Sequence, residues 1–368
     1  GHSLIYRHET EPQLSKMTTG VTEFIKIDEV RQEIDSTYPN PGTNAEGELQ
    51  VKNNGYGHLL VGNAFEFLCK LLLYRHCSEV IIPWRPTFGD FQHRFETNET
   101  PSVVVERFDG WEWEDDIETV SSRKDWEEMM DEQPEWEQRN PGKWTEDEEL
   151  TKLAKQYVTT GMNTEGVVKA ALVNAGWKPN DDVHSWIDRE AFEADIVEEM
   201  EALFGLLRDS EWPDGEMVIE RPSFGGHRHI LPGEGDFIVD DLLVDIKTTE
   251  DRSFTNAFWR QLLMYYVLND VQRILHEVDG RTYGKEPFEG KYPEINRVGI
   301  YYARYGELQT VDMDAMIDDR KQYKTFRAWI VDRAIEENSH AQHDYSAIRG
   351  ALTEPYDYEK QRTLFDDY

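Results

Sequence analysis

The residues best suited to chemistry lie between Asp236 and Lys247, where the polar pair Asp240 and Asp241 separates two apolar runs. This pattern predicts a β-hairpin with the polar pair as its loop. In that register Asp236 faces Asp245 directly, and Lys247 projects from the same face as both carboxylates, because side chains alternate along a strand. A three-residue loop would shift the register by one and turn Asp236 to the other face.

Paired carboxylates of this kind indicate a metal-dependent reaction. Like charges opposite each other destabilise a sheet unless something binds between them. Hard oxygen ligands suit Mg²⁺ or Mn²⁺, and the ammonium group of Lys247 could orient or deprotonate an attacking water. Cys69 and Cys77 are the only cysteines, too few for a four-cysteine cluster. We therefore expect Mg²⁺ or Mn²⁺ as the cofactor and no iron–sulfur cluster.

The Asp-x-Lys triplet is informative only in its context. The pattern [DE]-x-K also occurs at Glu289/Lys291 and at Asp319/Lys321, in a predicted loop and a predicted surface helix. In those places a solvated charge is a sufficient explanation. Only the copy that begins at Asp245 ends an apolar strand and has a second carboxylate opposite it.

Strand and helix patterns alternate around the hairpin, which predicts an α/β fold with a mixed central sheet flanked by helices. The stretch from His58 to Arg75 is apolar on several sides, so we expect a largely buried helix there. The other predicted elements are strands at 80–84, 102–106, 216–220, 227–230 and 297–304, helices at 191–207 and 256–269, and a mostly helical segment at 312–337.

Residues 109–201 differ in composition from the rest of the chain, with 27 acidic and 9 basic residues. We interpret 109–190 as an acidic, Trp-rich, largely helical insertion, with predicted helices at 145–161 and 164–175. The helix pair could be a helix-turn-helix reader of DNA, a lid or a packing module. The scarcity of Lys and Arg on its second helix favours a lid or packing module. The tryptophans are either anchors of a small core or a surface that stacks bases.

Five motifs occur in an order that resembles the RecB-like branch of the PD-(D/E)xK nuclease superfamily. They are Gly62–Glu66, Glu220 in the stretch VIERPSF, Gly233–Asp236, Asp245–Lys247 and Gln261–Tyr265. The resemblance covers about residues 58–108 and 190–310 and implies a restriction-endonuclease-like core.

The resemblance also implies roles for the matched residues. Asp236 and Asp245 would bind the metal, the carbonyl of Ile246 would join them, and Lys247 would polarise the water that attacks the phosphodiester. Gln261 and Tyr265 would support the site and contact the DNA backbone.

The other metal ligands remain open. Where many members of the branch have a histidine, this chain has Glu66, and His58 on the same helix face is the competing candidate. Glu220 is either a further metal ligand or a charge at the end of a strand.

The C-terminus carries a second motif, formed by Gln361, Leu364, Phe365 and Tyr368. It resembles the sliding-clamp-binding box of archaeal replication proteins, although Asp367 stands where an aromatic residue is usual. A free tail of this kind could dock as a short turn with Leu364 and an aromatic ring in an apolar pocket. The alternative is an acidic tail with a chance match.

The predicted organisation follows from these motifs. The segments are a tag or upstream segment (1–16), an N-terminal arm (17–57), the first part of the nuclease core (58–108), the insertion (109–190), the second part of the core (191–310), a C-terminal helical region (311–355) and a flexible tail with the clamp-binding box (356–368).

Composition constrains the solvent and the partners. The chain has 368 residues, a formal net charge of -35, and 38% hydrophobic residues, enough for a core. Such a charge on a folded protein is typical of a salt-loaded cytoplasm, where screening makes it tolerable. We therefore expect a cytoplasmic protein of a halophilic archaeon or its virus, and no membrane partner, because the longest apolar stretch (65–74) is far too short to span a bilayer.

The charge taken alone argues against nucleic acid as a partner. That argument weakens in high salt, where counterion release contributes little to phosphate binding. We predict a metal-dependent DNA nuclease acting in repair, replication or defence. The alternatives are a catalytically inactive nuclease fold that binds DNA or is tethered to a clamp, and a metal-dependent hydrolase of another substrate.

Overall fold

The structure, a computed structural model, describes residues 19–42, 45–77, 79–81, 105–106, 117–118, 153–154, 156–158, 160–176, 192–210, 215–222, 224, 231, 233–279 and 293–338. The helices are α1 (Val21–Phe24), α2 (Asp28–Thr37), α3 (His58–His76), α4 (Thr164–Asn174), α5 (Ala194–Asp209), α6 (Asn256–Asp279), α7 (Met313–Met316) and α8 (Arg320–Glu337). The strands are β1 (Glu79–Ile81), β2 (Val105–Glu106), β3 (Ile117–Glu118), β4 (Met217–Glu220), β5 (Phe237–Val239), β6 (Leu242–Lys247), β7 (Arg297–Tyr302) and β8 (Glu307–Asp312).

A six-stranded mixed sheet lies at the centre of the fold. Its strand order is β1-β4-β5-β6-β7-β8. The pairs β1/β4 and β6/β7 are parallel, whereas the other neighbouring strands are antiparallel. Strands β2 and β3 form a separate antiparallel pair. The predicted α/β class with a mixed sheet is confirmed.

Helices cover both faces of this sheet. On β6, Leu243 packs with apolar residues of α1, α2, α6 and α8. Val244 and Ile246 pack on the opposite face with residues of α3, α4 and α5. Because side chains alternate along a strand, Asp245 and Lys247 leave the sheet on the side of Leu243, towards α6.

The buried helix predicted from His58 is confirmed as α3, and ten of its residues are buried. The predicted end of α6 at Asn269 is wrong, because the helix continues to Asp279. Two polar residues at the predicted end have partners inside the protein. Asn269 donates to the carbonyl of Pro293 at 3.0 Å, and Asp270 forms an ion pair with Arg327 of α8.

Helices α1 and α2 and strand β8 were not predicted from the sequence. The two helices belong to the predicted N-terminal arm, and β8 extends across the predicted boundary at residue 310. Both terminal regions share one core, since the ring of Tyr38, which follows α2, meets the ring of Phe326 in α8 edge-on at 5.1 Å. The sheet and its covering layer therefore include more of the chain than the motifs indicated.

Part of the predicted insertion is also described. Residues 156–158 are helical, Gly161 has a left-handed φ of 69°, and α4 follows and is closed by Gly176 with φ 95°. Six consecutive residues of α4 from Val167 to Leu172 are buried, and the helix packs against α3 and α5. These contacts support the packing module among the alternatives. The predicted strand at 227–230 lies outside the described residues.

We expect Asp240 to stabilise the hairpin loop measurably. Its carboxylate accepts hydrogen bonds from the backbone N–H groups of Met217 at 2.9 Å and Glu216 at 3.1 Å, and its φ is 51°. Asp240→Ala removes both bonds and places a poor residue in left-handed backbone, which should cost about 1–3 kcal/mol of unfolding free energy. Asp240→Asn keeps an acceptor oxygen and tolerates this conformation, so its loss should be smaller. Urea unfolding measures both, and equal stability of Asp240→Ala and the wild type would contradict the role.

Candidate active site

The hairpin has the register that brings the two predicted carboxylates together. Phe237 pairs with Val244, and Val239 pairs with Leu242, which leaves a two-residue loop at Asp240 and Asp241. Extending the ladder by one pair places Asp236 opposite Asp245. The Oδ2 atom of Asp236 accepts a hydrogen bond from the backbone N–H of Ile246 at 2.6 Å. The carboxylate is thereby fixed against the strand that carries Asp245.

A cleft of about 580 Å³ opens at this end of the sheet. Residues from the N-terminal segment, α3, the end of β4, the loop before β5, the end of β6, and α6 line it. They are Gly20, Val21, Thr22, Glu23, Gly62, Asn63, Glu66, Arg221, Gly233, Glu234, Gly235, Asp236, Asp245, Ile246, Lys247, Thr248, Gln261 and Tyr265.

Negative charge converges on Asp236. Burial is the largest influence and raises the pKa of its carboxyl, and the nearby carboxylates of Asp245 and Glu66 raise it further. Lys247 and the N–H of Ile246 oppose this shift, but the pKa still lies well above the ordinary aspartate value. A cation placed among these carboxylates would relieve their mutual repulsion.

Lys247 is paired with Asp245, with 2.5 Å between Nζ and Oδ2. Burial lowers the pKa of Lys247, but the attraction of Asp245 and Asp236 outweighs burial and raises the pKa above the usual lysine value. The side chain is therefore an ammonium group at neutral pH. It can donate hydrogen bonds to a water or phosphate oxygen, whereas it has no lone pair with which to take a proton.

The structure brings Glu66 to the cleft and leaves His58 outside it. Glu66 lines the cleft from α3, and burial raises the pKa of its carboxyl. His58 is the first residue of α3 and is exposed, and it is not among the residues that line the cleft. Of the two candidates on this helix, Glu66 is the one near Asp236.

Glu220 lies behind the cleft, in the protein interior. Its Oε1 atom forms an ion pair with Lys70 Nζ at 2.8 Å, and its Oε2 atom accepts a hydrogen bond from the hydroxyl of Tyr74. It does not line the cleft, although it is close enough to raise the pKa of Glu66. Both of its oxygens are thus engaged by α3, which fits a residue that holds α3 to the end of β4.

Gln261 and Tyr265 lie one turn apart on α6, and both line the cleft. The Nε2 atom of Gln261 donates to the Tyr265 hydroxyl at 2.9 Å, so the tyrosine proton remains for another acceptor. Burial raises the pKa of Tyr265, which keeps the hydroxyl protonated at neutral pH. The ring stacks on Phe224 with 5.1 Å between centroids.

Gly233 allows α1 and α6 to meet beside the hairpin. A Cβ atom at this position would lie 2.7 Å from Val21 Cγ2 and 3.1 Å from Tyr265 Cε1. The absence of a side chain in this part of the Gly233–Asp236 motif therefore lets the N-terminal segment form a wall of the cleft.

Sequence reasoning missed several lining residues. Gly20 to Glu23 come from the N-terminal arm and carry no pattern that marks them for a site. Arg221 directly follows the candidate Glu220, and Glu234 lies inside the Gly233–Asp236 motif, so both were adjacent to recognised positions. The contact between Arg221 and Glu234 depends on the tertiary fold.

The C-terminal residues Gln361, Leu364, Phe365 and Tyr368 lie outside the described residues. Within the described ranges, no group of three or more His, Cys, Asp and Glu side chains is arranged around a shared metal position. No helix in these ranges combines the length and the apolar character that crossing a membrane requires.

No protein-family model, curated protein or solved structure matches this chain. Function is therefore inferred from the cleft and its residues.

Proposed function

We propose that this protein is a metal-dependent nuclease that hydrolyses phosphodiester bonds in DNA. One observation carries the proposal: the two-residue hairpin loop brings Asp236 opposite Asp245, with Lys247 on the same face, in an open cleft. Two carboxylates and an ammonium group in this arrangement suit hydrolysis of a phosphate ester, since they can hold a divalent cation and orient a water.

The residues present fit Mg²⁺ or Mn²⁺. The ligands would be the carboxylates of Asp236 and Asp245 and the carbonyl of Ile246, which are hard oxygen donors, and Glu66 is close enough to raise the pKa of Asp236. Mg²⁺ commonly takes only one or two carboxylates from a protein. A bound ion would stabilise the negative charge that develops on the phosphoryl oxygens.

The chain's own groups have distinct tasks in this proposal. Lys247 donates a hydrogen bond that orients the attacking water or stabilises the charged phosphate. Gln261 keeps the Tyr265 hydroxyl in place. The Tyr265 hydroxyl then donates a hydrogen bond to a phosphate oxygen of the DNA backbone. Glu66 adds negative charge that favours a cation in the cleft.

One observation favours the alternative of a nuclease-like fold that binds DNA without cleaving it. Lys247 already neutralises Asp245 at 2.5 Å, so part of the charge in the cleft is compensated without a metal. Tethering to a sliding clamp through Gln361, Leu364, Phe365 and Tyr368 would be compatible with either function and stays a proposal from the sequence.

The direct test uses end-labelled linear DNA and circular DNA in multimolar KCl with Mg²⁺ or Mn²⁺. We expect metal-dependent cleavage that EDTA abolishes. Cleavage of the circular substrate would indicate an endonuclease, and cleavage of linear DNA alone would indicate an exonuclease. Intact substrates under all these conditions, with DNA binding retained, would favour the inactive binding protein.

We also expect Mg²⁺ or Mn²⁺ to stabilise the folded protein. A ligand at about 100 times its Kd adds about 2.7 kcal/mol to the unfolding free energy, which corresponds to a rise of several degrees in Tm. Asp236→Asn and Asp245→Asn should lose most of this rise, because each removes a charged ligand. Asp241→Asn is the matched control on the same hairpin and should retain it. Thermal unfolding with metal and with EDTA measures the effect, and an unchanged rise in both ligand variants would contradict the assigned ligands.

A further inference from the structure

Arg221 is a cationic residue of the cleft with an unusual backbone conformation. It follows the last residue of β4 and has a left-handed φ of 48°. Its backbone N–H donates to the carbonyl of Asp236 at 2.8 Å, which ties its position to the hairpin that carries the two central carboxylates. The side chain lines the cleft and is 46% exposed.

Glu234 holds the guanidinium group by one edge. The Nη2 and Nε atoms of Arg221 lie 2.6 and 2.8 Å from the same Glu234 oxygen, Oε1. Its third nitrogen, Nη1, has no hydrogen bond or ion pair to any described residue. The arginine is therefore oriented by its neighbour and still has donors for a ligand.

The left-handed conformation of Arg221 contributes little to the stability of the fold. Left-handed backbone is unfavourable for a residue with a side chain, and an exposed ion pair contributes little to stability. Unfavourable backbone conformations of this kind concentrate at functional sites. A ligand that contacts the side chain would explain why arginine occupies the position.

The positive charge of Arg221 points to an anionic ligand. The described lining carries five carboxylates, on Glu23, Glu66, Glu234, Asp236 and Asp245, and two cationic side chains, on Arg221 and Lys247. Lys247 is engaged by Asp245. A polyanion that enters here also meets Arg221, whose Nη1 keeps its donors, and a planar guanidinium group matches the oxygens of a phosphate.

We propose that Arg221 binds a backbone phosphate of the nucleic acid beside the phosphodiester that is cleaved, with Glu234 orienting the guanidinium group. This inference rests on the proposed nuclease function and adds a substrate-binding residue to it. Because the contact is to a phosphate, it should be independent of base sequence.

The test compares Arg221→Ala and Arg221→Gly with Arg297→Ala in the full chain. Arg297 is a matched control, since its side chain is 49% exposed and is paired with Asp241 at 2.7 Å near the hairpin loop, outside the cleft. Arg221→Gly removes the backbone strain, so it should fold at least as stably as the wild type. Fluorescence anisotropy of a labelled oligonucleotide in EDTA reports Kd, and steady-state cleavage with Mn²⁺ reports KM and kcat.

We expect both Arg221 variants to raise Kd and KM about tenfold or more, with a smaller change in kcat, since a charged hydrogen bond to the substrate is lost. The slope of log Kd against log salt should fall by about one for duplex DNA. Arg297→Ala should stay within about twofold of the wild type. Unchanged Kd and KM in the Arg221 variants, or an equal loss in Arg297→Ala, would overturn the inference.

The outcomes separate this inference from the proposed function. Cleavage by the wild type with no effect of either Arg221 variant would leave the nuclease function standing and remove the Arg221 site. Oligonucleotide binding that depends on Arg221, without any cleavage, would leave the site standing and remove the nuclease function. If the wild type neither binds the oligonucleotide in the anisotropy assay nor cleaves it with Mn²⁺, the inference is overturned.

Discussion

Asp245→Asn is expected to reduce Mn²⁺-dependent DNA cleavage at least about a thousandfold while the protein stays folded. The substitution keeps the shape of the side chain but removes one of the two charges that face each other across the hairpin. Metal ligation and charge stabilisation at the reacting phosphate each account for several kcal/mol of barrier reduction, so losing a principal ligand should nearly abolish activity. Lys247→Ala should have a comparable effect, because it removes the group that orients the attacking water in the proposed function.

Asp241→Asn is the control for this experiment. Asp241 is on the same hairpin and pairs with Arg297, but it lies at the loop, away from the cleft. It should keep activity within about twofold of the wild type. Circular dichroism and urea unfolding establish that each variant is folded. Full activity in both Asp245→Asn and Lys247→Ala would refute the assignment of the site.

The second large effect is expected from the buried ion pair of Glu199 and Arg304. Arg304 Nη2 lies 2.5 Å from Glu199 Oε1, and both side chains are fully buried. Arg304 Nε also donates to the carbonyl of Thr248 at 2.6 Å, directly after Lys247. The other oxygen of Glu199 accepts a hydrogen bond from the backbone N–H of Asn54 at 2.9 Å. The pair thus connects α5, the loop before α3 and the strand end that carries Lys247.

Glu199→Leu should reduce the unfolding free energy by about 3–5 kcal/mol, because it leaves the guanidinium group buried without its counter-charge. The exposed pair of Asp28 and Arg31 on α2 is the control, and Asp28→Asn should cost less than about 1 kcal/mol. Urea unfolding at low and at multimolar KCl measures both. The loss at Glu199 should persist in high salt, since ions do not reach a buried pair. A loss below 1 kcal/mol at Glu199 would contradict this role.

Much of the core could be predicted from the sequence because its signals are local. The apolar run from His58 specified a buried helix, and α3 has that length and burial. The pair Asp240 and Asp241 between two apolar runs specified the loop, and the loop length fixed the register of Asp236 and Asp245. The sequence thereby also predicted that Lys247 shares a face with Asp245.

Some polar residues have partners that are distant in sequence and that local patterns do not reveal. The predicted helix ended at Asn269, whereas α6 continues to Asp279, and Asn269 and Asp270 contact Pro293 and Arg327 from other parts of the chain. For Glu220 the sequence left two alternatives open, a further metal ligand and a charge at the end of a strand. Lys70 and Tyr74 of α3 engage both of its oxygens in the folded protein.

The sequence by itself determined that two carboxylates and a lysine lie on one face of a hairpin. Strand periodicity and loop length are local properties, so they need no knowledge of the rest of the fold. Only the tertiary structure decided which other groups lie near the two carboxylates and the lysine. It places Glu66, and not His58, in the cleft, and it makes the N-terminal segment one wall of the cleft. It also places Arg221 in the cleft, paired with Glu234. These contacts join segments far apart in the chain, and packing of the helices on the sheet sets their distances.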